Sequence, residues 1–534
     1  MNGTTLETLE LPTGTYRLSG RTQDVHKCYG HSRGKGFFQA CVGGFTAEDV
    51  VSSRRGLESS AYAANTSALP RAGYCAAGHS GPLCQVCVDD THYYFDKYSG
   101  QCKYCGSALR AGGVILAAVA AACIGCFALP CLQSHVGCWP DRQKWYQYAL
   151  RWLSSRAARI GLLVKIKLLI GFYQVLNAAS SVFRVMMPAE YDHVSFGIRW
   201  LSFDLWGFML PVECVGSHAA SLGLQMCWPF ALIGLTVVIW RMHALCLRSE
   251  QKAASIASLR QHLPTFSLLV LFCLVPSMSS RLLGAFRCTT FGFDDRVGGS
   301  GAAISRRFLM DDLRIVCPDD TGGEPKALYQ TFHQVRAIAI VGVVLWPVGV
   351  PLFFLYLALR GRFQHKRHNV ASFLMDDYRK QCFFWEPVEM VRKLAITGYI
   401  LAVPEENSFL RLLLATVLSM GFLVAHLLVT PFRMQADNAC ATVVHTTTAC
   451  VLISLIGVKM CDDLDDVACK ALGVTPFAFS VTILVISLVL LVVVTCVVMH
   501  SMRQRLGVVC FHQTHHAVQL SIRKGYRFHV FISQ

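Results

Sequence analysis

Long apolar runs separated by short polar ones organise this chain. About 20 predominantly apolar residues are needed for a helix to cross roughly 30 Å of hydrocarbon. Nine runs approach that length: 111–132, 166–187, 222–240, 265–286, 331–359, 387–403, 409–430, 439–460 and 474–500. The sixth is the shortest, and Glu389, Arg392 and Lys393 fall in its first half. Residues 194–211 are rich in Trp and Phe but carry Arg199 and Asp204, so this stretch reads as an interfacial or re-entrant helix. The pattern predicts an all-α polytopic membrane protein of about nine transmembrane helices.

The polar connections sort by charge. Residues 139–167 carry Arg142, Lys144, Arg151, Arg156, Arg159, Lys165 and Lys167, and 241–260, 360–393 and the tail beyond His500 are basic too. The alternate connections hold Asp294, Asp295, Asp311, Asp312, Asp319 and Asp320, then Glu405 and Glu406, then Asp462, Asp463, Asp465 and Asp466. Basic loops stay in the cytoplasm. Nine spans then put the N-terminus outside and the C-terminus in the cytoplasm, with the plasma membrane the expected location. The sequons at Asn2 and Asn65 both fall in the outside segment and are candidate glycosylation sites.

Composition agrees. Of 534 residues, 53% are hydrophobic and 15% charged, against about 25% charged in soluble domains. The net charge of +16 follows from the cytoplasmic loops, so nucleic acid is not an expected partner and the lipid bilayer is. The first 20 residues hold no apolar core of the roughly 7–15 residues a secretory signal needs. The expectation is a chain that starts inside a longer ectodomain. Residues 1–72 are then a partial ectodomain segment, 73–108 a cysteine-rich module, 109–502 the multi-span domain and 503–534 a cytoplasmic tail.

Of 24 cysteines, many lie inside apolar runs, where Cys behaves as a small hydrophobe. The informative ones do not. Cys75, Cys84, Cys87, Cys102 and Cys105 form a tight cluster, with Cys84-x2-Cys87 and Cys102-x2-Cys105 separated by fourteen residues. Such spacing suits a four-thiolate zinc site or a disulfide-stapled loop. Compartment decides, because disulfides persist outside the reducing cytosol. Cys28 with Cys41, Cys288 with Cys317, and Cys461 with Cys469 are further candidate pairs, the last two each bracketing an acidic loop.

The run Gly78-His-Ser-Gly-Pro-Leu-Cys84 resembles the end of laminin-type EGF modules. That resemblance implies the pairings Cys75–Cys84 and Cys87–Cys102, with Gly78 and Gly81 supplying backbone freedom and Cys105 left over. Together with 6–19, with Ala40-Cys41-Val-Gly-Gly44, and with the stretches Val335-Arg336 to Trp346-Pro347-Val-Gly349-Val-Pro351, Asp377-Tyr378-Arg379 to Arg392-Lys393-Leu394, and Pro431-Phe432 to Asp437-Asn438, it resembles the membrane-proximal end of large surface proteins of unicellular eukaryotes. Their C-terminal parts are polytopic and TRP-like. The resemblance implies a small disulfide-rich EGF-like module ahead of a TRP-like membrane domain. The final residues from Tyr526 resemble the first strand of a TIR-type domain.

Charges inside apolar runs are the functional candidates, since each is expensive in hydrocarbon. Arg281 lies late in the fourth run; Lys165, Lys167 and Arg184 flank the second; Arg411, His426 and His445 lie in the seventh and eighth. Glu386, Glu389, Arg392 and Lys393 stand at helical spacing, and Glu389 with Lys393 makes an i,i+4 pair at the helix entry. Asp437 or Asn438 is expected to cap a helix starting near Ala439. Cys510, His512, His515 and His516 fit no strong metal template. No catalytic motif stands out, so neither enzymatic activity nor a cofactor is expected. Two functions remain. One is a TRP-like channel or transport-type domain, with a homo-oligomer as a compatible assembly. The other is a receptor or adhesion protein that binds an extracellular ligand.

Overall fold

A computed structural model describes residues 11–19, 22–28, 38–43, 74–96, 99–110, 113–114, 161–183, 185, 211–246, 249–294, 304–318, 326–363, 374–404, 407–463 and 476–506. All statements below concern these residues.

The cysteine-rich region is built from three small antiparallel hairpins. They pair β1 (Thr15–Tyr16) with β2 (His26–Lys27), β3 (His79–Ser80) with β4 (Val86–Cys87), and β5 (Tyr93–Asp96) with β6 (Gln101–Tyr104). Segments this short bury too little apolar area to be stable alone, and disulfides supply the constraint. Cys28 bonds Cys41, Cys75 bonds Cys84, and Cys87 bonds Cys102. Gly81, at φ 68°, turns the chain between β3 and the residues before β4, where a Cβ would strike Val86.

The helical part comprises α1 (Leu162–Ser181), α2 (His218–Cys246) and α3 (Ser249–Gly284). A sheet of β7 (Cys288–Asp294), β8 (Ile304–Leu309) and β9 (Val316–Cys317) follows. Then come α4 (Gln330–Val343), α5 (Val350–Phe363), α6 (Trp385–Thr397), α7 (Ser408–Val429), α8 (Gln435–Asp463) and α9 (Pro476–Leu506). A π-helical turn at Val344–Gly349 joins α4 to α5 around Pro347, whose carbonyl accepts a hydrogen bond from the Tyr399 hydroxyl at 2.5 Å. Proline and π-turns free backbone carbonyls that must find donors inside a membrane, and Tyr399 supplies one.

Five helices are long and apolar enough to cross a membrane: His218–Met242, Leu263–Gly284, Gln330–Phe363, Ser408–Val429 and Gln435–Cys461. The chain is a helical membrane protein with a disulfide-rich N-terminal region. Among the described residues, five of the nine apolar runs thus give spans by this measure. The run at 387–403 becomes the 13-residue α6, with four charged residues buried on it, followed by a 3-10 turn at Tyr399–Ala402. Helix α9 holds a shorter apolar stretch, Val481–Val497. The first run beyond Val114, the stretch at 194–210, Asn2, Asn65, Arg184, Cys469 and the tail from 507 lie outside the described residues.

Two apolar cores fill the helical part. One joins α1, α7, α8 and α9 through Phe172, Leu176, Leu412, Leu452 and Ile483. The other joins α2, α3, α4 and α5 through Met226, Phe272, Val335, Trp346 and Phe354. Helix α6 serves both, with Trp385 and Ile396 in the first and Met390 and Leu394 in the second.

Candidate functional site

Two regions concentrate chemistry, one outside the helices and one among them.

The outer region is a single head. Tyr16, Leu18 and Phe95 of the cysteine-rich hairpins share a core with Phe291, Phe308 and Leu313 of the β7–β9 loop. The Gly292 amide donates to Asp24 at 2.8 Å, and Arg314 reaches Asp90 at 3.6 Å. Cys288 bonds Cys317 within the loop. Cys105, with no partner in the sequence reading, bonds Cys214, four residues ahead of α2. A signal for it was present: Cys214 falls between the apolar runs, beside Glu213, and not inside one. Cys461 is also disulfide-bonded. Asp312 accepts two hydrogen bonds of 2.8 Å from the Arg314 guanidinium and lies 3.6 Å from His218, the first residue of α2. Burial pushes the Asp312 carboxyl up, but the hydrogen bonds and charges of Arg314 and His218 outweigh it and hold it well below the usual carboxylate range. The module, the approach to α2 and the α3–α4 loop therefore share one face of the helical part.

The inner region lies away from that face. Thr397, at the end of α6, accepts a hydrogen bond from Ser280, one turn from the head end of α3, whereas the charges of α6 occupy its first turns. These charges are buried. Lys165 of α1 contacts Asp437 of α8 at 2.5 Å, and Lys167 contacts Glu386 at 3.3 Å. The Tyr378 hydroxyl donates to the other Glu386 oxygen at 2.6 Å. Arg392 donates to Glu389 at 2.5 Å, and His445 stands 3.9 Å from the second Glu389 oxygen. His445 and His426 meet edge to face at 5.1 Å.

Two expectations are corrected here. Glu389 pairs with Arg392, one turn on at i+3, and not with Lys393; the amine of Lys393 instead sits 3.9 Å over the Phe272 ring. The turn of the helix decides this, since it aims Lys393 at α3 and Arg392 at Glu389. Nor do Asp437 and Asn438 cap a helix near Ala439. Helix α8 begins at Gln435, so both lie in its first turn. The Asp437 side chain turns to Lys165 and to Gly161 at the start of α1, where a carboxylate is favoured by the helix dipole. Asn438 accepts from the Phe432 amide and donates to the Phe432 carbonyl, which fixes the α7–α8 link. Arg281 donates to Gln225 of α2 at 3.2 Å and stands apart from the cluster. Arg411 binds the Val403 carbonyl at 2.8 Å and 2.5 Å.

A cavity of ≈ 10 Å³ lies at the centre, lined by Lys167, Phe272, Asp377, Tyr378, Glu386, Glu389 and Lys393. Three buried polar atoms on these side chains have no hydrogen-bond partner: Glu386 Oε1, Glu389 Oε2 and Lys393 Nζ. Asp377, in the link before α6, is pushed up to about 6, chiefly by burial, with the charges of Glu386 and Asp437 adding to it and Lys167 opposing. No group of described residues meets the geometry of a metal site.

No protein-family model matches the chain. Among curated proteins it is similar to the cysteine repeat modular protein A of Toxoplasma gondii, 26% identical over 201 residues, a match covering 35% of this chain and 6% of that protein. The chain therefore spans a small fraction of that relative's length. No solved structure matches.

Proposed function

We propose that the helical part is a TRP-like channel or transport-type membrane domain carrying an extracellular, EGF-like cysteine-rich head, with its N-terminus outside and its C-terminus in the cytoplasm of a plasma-membrane protein. The observation that carries this reading is the buried ionic cluster on α1, α6 and α8. Charges of this kind are costly inside a membrane domain, and they mark pathways and gates. A purely anchoring bundle has no use for four cations and four carboxylates in its interior. The relative's description as a cysteine repeat modular protein is in keeping with a cysteine-rich surface protein, here with glycans on Asn2 and Asn65.

The test is flux. Full-length protein in liposomes is expected to pass a small cation under voltage or a calcium step, and Glu389→Gln is expected to change that flux. Liposomes that stay silent across voltage and calcium reject the reading.

One observation favours a receptor instead. The Cys105–Cys214 bond and the His218–Asp312 contact tie the head to the start of α2, a coupling that a ligand-sensing ectodomain needs. A head ligand that alters exchange protection in α2 without any flux would support the receptor over the channel.

A further inference from the structure

We propose that the amine of Lys393 is a proton-binding site inside the helical domain, exchanging its proton with the cavity it faces. Naming the proton as the coupled species deepens the transport reading and rests on it; the proton site itself does not.

The geometry is built around a lysine that makes no hydrogen bond among the described residues. An ammonium has three donors, yet Lys393 Nζ makes no hydrogen bond among the described residues and is 1% exposed. Gly171 of α1 leaves the slot: a Cβ there would stand 2.5 Å from Lys393 Cε and 2.8 Å from its Nζ. The Phe272 face closes the other side. The cavity takes about one water, and Glu386 and Glu389, each with one oxygen that accepts no hydrogen bond, line it too. A water there can bridge the amine and the carboxylates.

Charge accounting singles out the same group. From α1 come Lys165 and Lys167, from α6 Arg392 and Lys393, set against Asp377 of the link, Glu386 and Glu389 of α6, and Asp437 of α8. Lys165, Lys167 and Arg392 each hold a carboxylate within 3.3 Å. Lys393 does not. Removing a proton from a paired cation breaks an ion pair and strands a buried carboxylate; removing it from Lys393 breaks a cation–π contact. The step is Lys393–NH3+ to Lys393–NH2 plus a proton, passed through the cavity toward Asp377. Loss of the positive charge loosens the contact with Phe272 and so the packing of α1 and α3 on α6. Tyr378, His445 of α8, His426 of α7 and Cys273 of α3 complete the titratable groups around it.

Hydrogen exchange on the full chain in nanodiscs tests this, corrected for intrinsic rates between about pH 5 and pH 9. Peptides covering Gly171 and Lys393 are expected to change protection by about tenfold across that range. The step is expected to persist in His445→Gln and to vanish in Lys393→Met. A flat wild-type profile overturns the proposal, as does an unaltered step in Lys393→Met. Should that variant not fold, Gly171→Ala, which crowds the amine, must move the midpoint of the step; an unmoved midpoint overturns the proposal. An exchange step accompanied by silent liposomes upholds the proton site and rejects the transport reading.

Discussion

The amine of Lys165 and the carboxylate of Asp437 meet at 2.5 Å in the interior of the helical domain, although 272 residues separate them in the chain. Both are almost wholly buried. Breaking such a pair by removing one partner leaves an uncompensated charge and costs roughly 3–5 kcal/mol, whereas replacing both by apolar side chains costs far less. Lys165→Met and Asp437→Leu are each expected to destabilise the protein by that amount, and the double variant to recover most of it. Denaturation in mixed micelles measures all three. A double variant no better than the worse single would refute the pairing.

Tyr378 holds one Glu386 oxygen at 2.6 Å while Lys167 approaches the other at 3.3 Å. Tyr378→Phe removes a single donor and leaves the ring stacked on Phe432 at 4.9 Å. The expected loss is about 1–3 kcal/mol, the cost of a buried carboxylate oxygen left without its partner. In Glu386→Gln the same Tyr378→Phe change is expected to cost clearly less, because an amide is cheaper to bury than a carboxylate. A double-mutant cycle reads the difference.

Periodicity and charge made the helices legible. Runs of about 20 apolar residues mark α7 and the crossing parts of α3 and α8, Leu263–Gly284 and Gln435–Cys461, closely, because a membrane span must satisfy its backbone within itself and show an apolar surface. The same rule explains where reading failed. Helix α6 is short and charged in sequence, and its membership of the bundle depends on Lys167 of α1 and Phe272 of α3 meeting it from the interior. Such contacts join residues more than a hundred positions apart and leave no local pattern. Glu386, Glu389, Arg392 and Lys393 stood out as charges, but an i,i+4 rule for exposed helices assigned Lys393 to Glu389. In the folded chain the turn of the helix carries that lysine into space left open by Gly171 of α1. The resemblance to laminin-type EGF modules carries Cys75–Cys84 and Cys87–Cys102, whose loops are short; Cys105–Cys214 closes over 109 residues and lies beyond that motif.

The head carries an acid-sensitive contact. Asp312 titrates lower in the folded protein than when unfolded, where a carboxyl sits near 3.9. Stability from its bonds to Arg314 and His218 is therefore whole above about pH 4 and declines as pH falls below that value. Exchange protection of the β7–β9 sheet is expected to drop on acidification in that window. Arg314→Gln removes much of the effect, giving a head that is less protected at neutral pH and flatter in its pH profile. An unchanged acid profile in Arg314→Gln would assign the sensitivity elsewhere.

The Cys105–Cys214 bond closes a loop of 109 residues. In the chain-entropy view a loop of that size is worth about 4–5 kcal/mol to the folded state. The head nevertheless retains Cys28–Cys41, Cys75–Cys84, Cys87–Cys102 and Cys288–Cys317 without it, and the apolar core around Phe291 and Phe308 does not depend on Cys214. Loss of the bond should therefore act locally, at the join between head and α2. In Cys105→Ser/Cys214→Ser the segment from Val212 to His218 is expected to lose exchange protection, while Phe291, Phe308 and the α7–α8 pair keep theirs. Each single Cys→Ser variant should match the double, because either one abolishes the same bond. Simultaneous loss of protection in the head core and the helices would mean that this bond holds the whole fold and not merely the join.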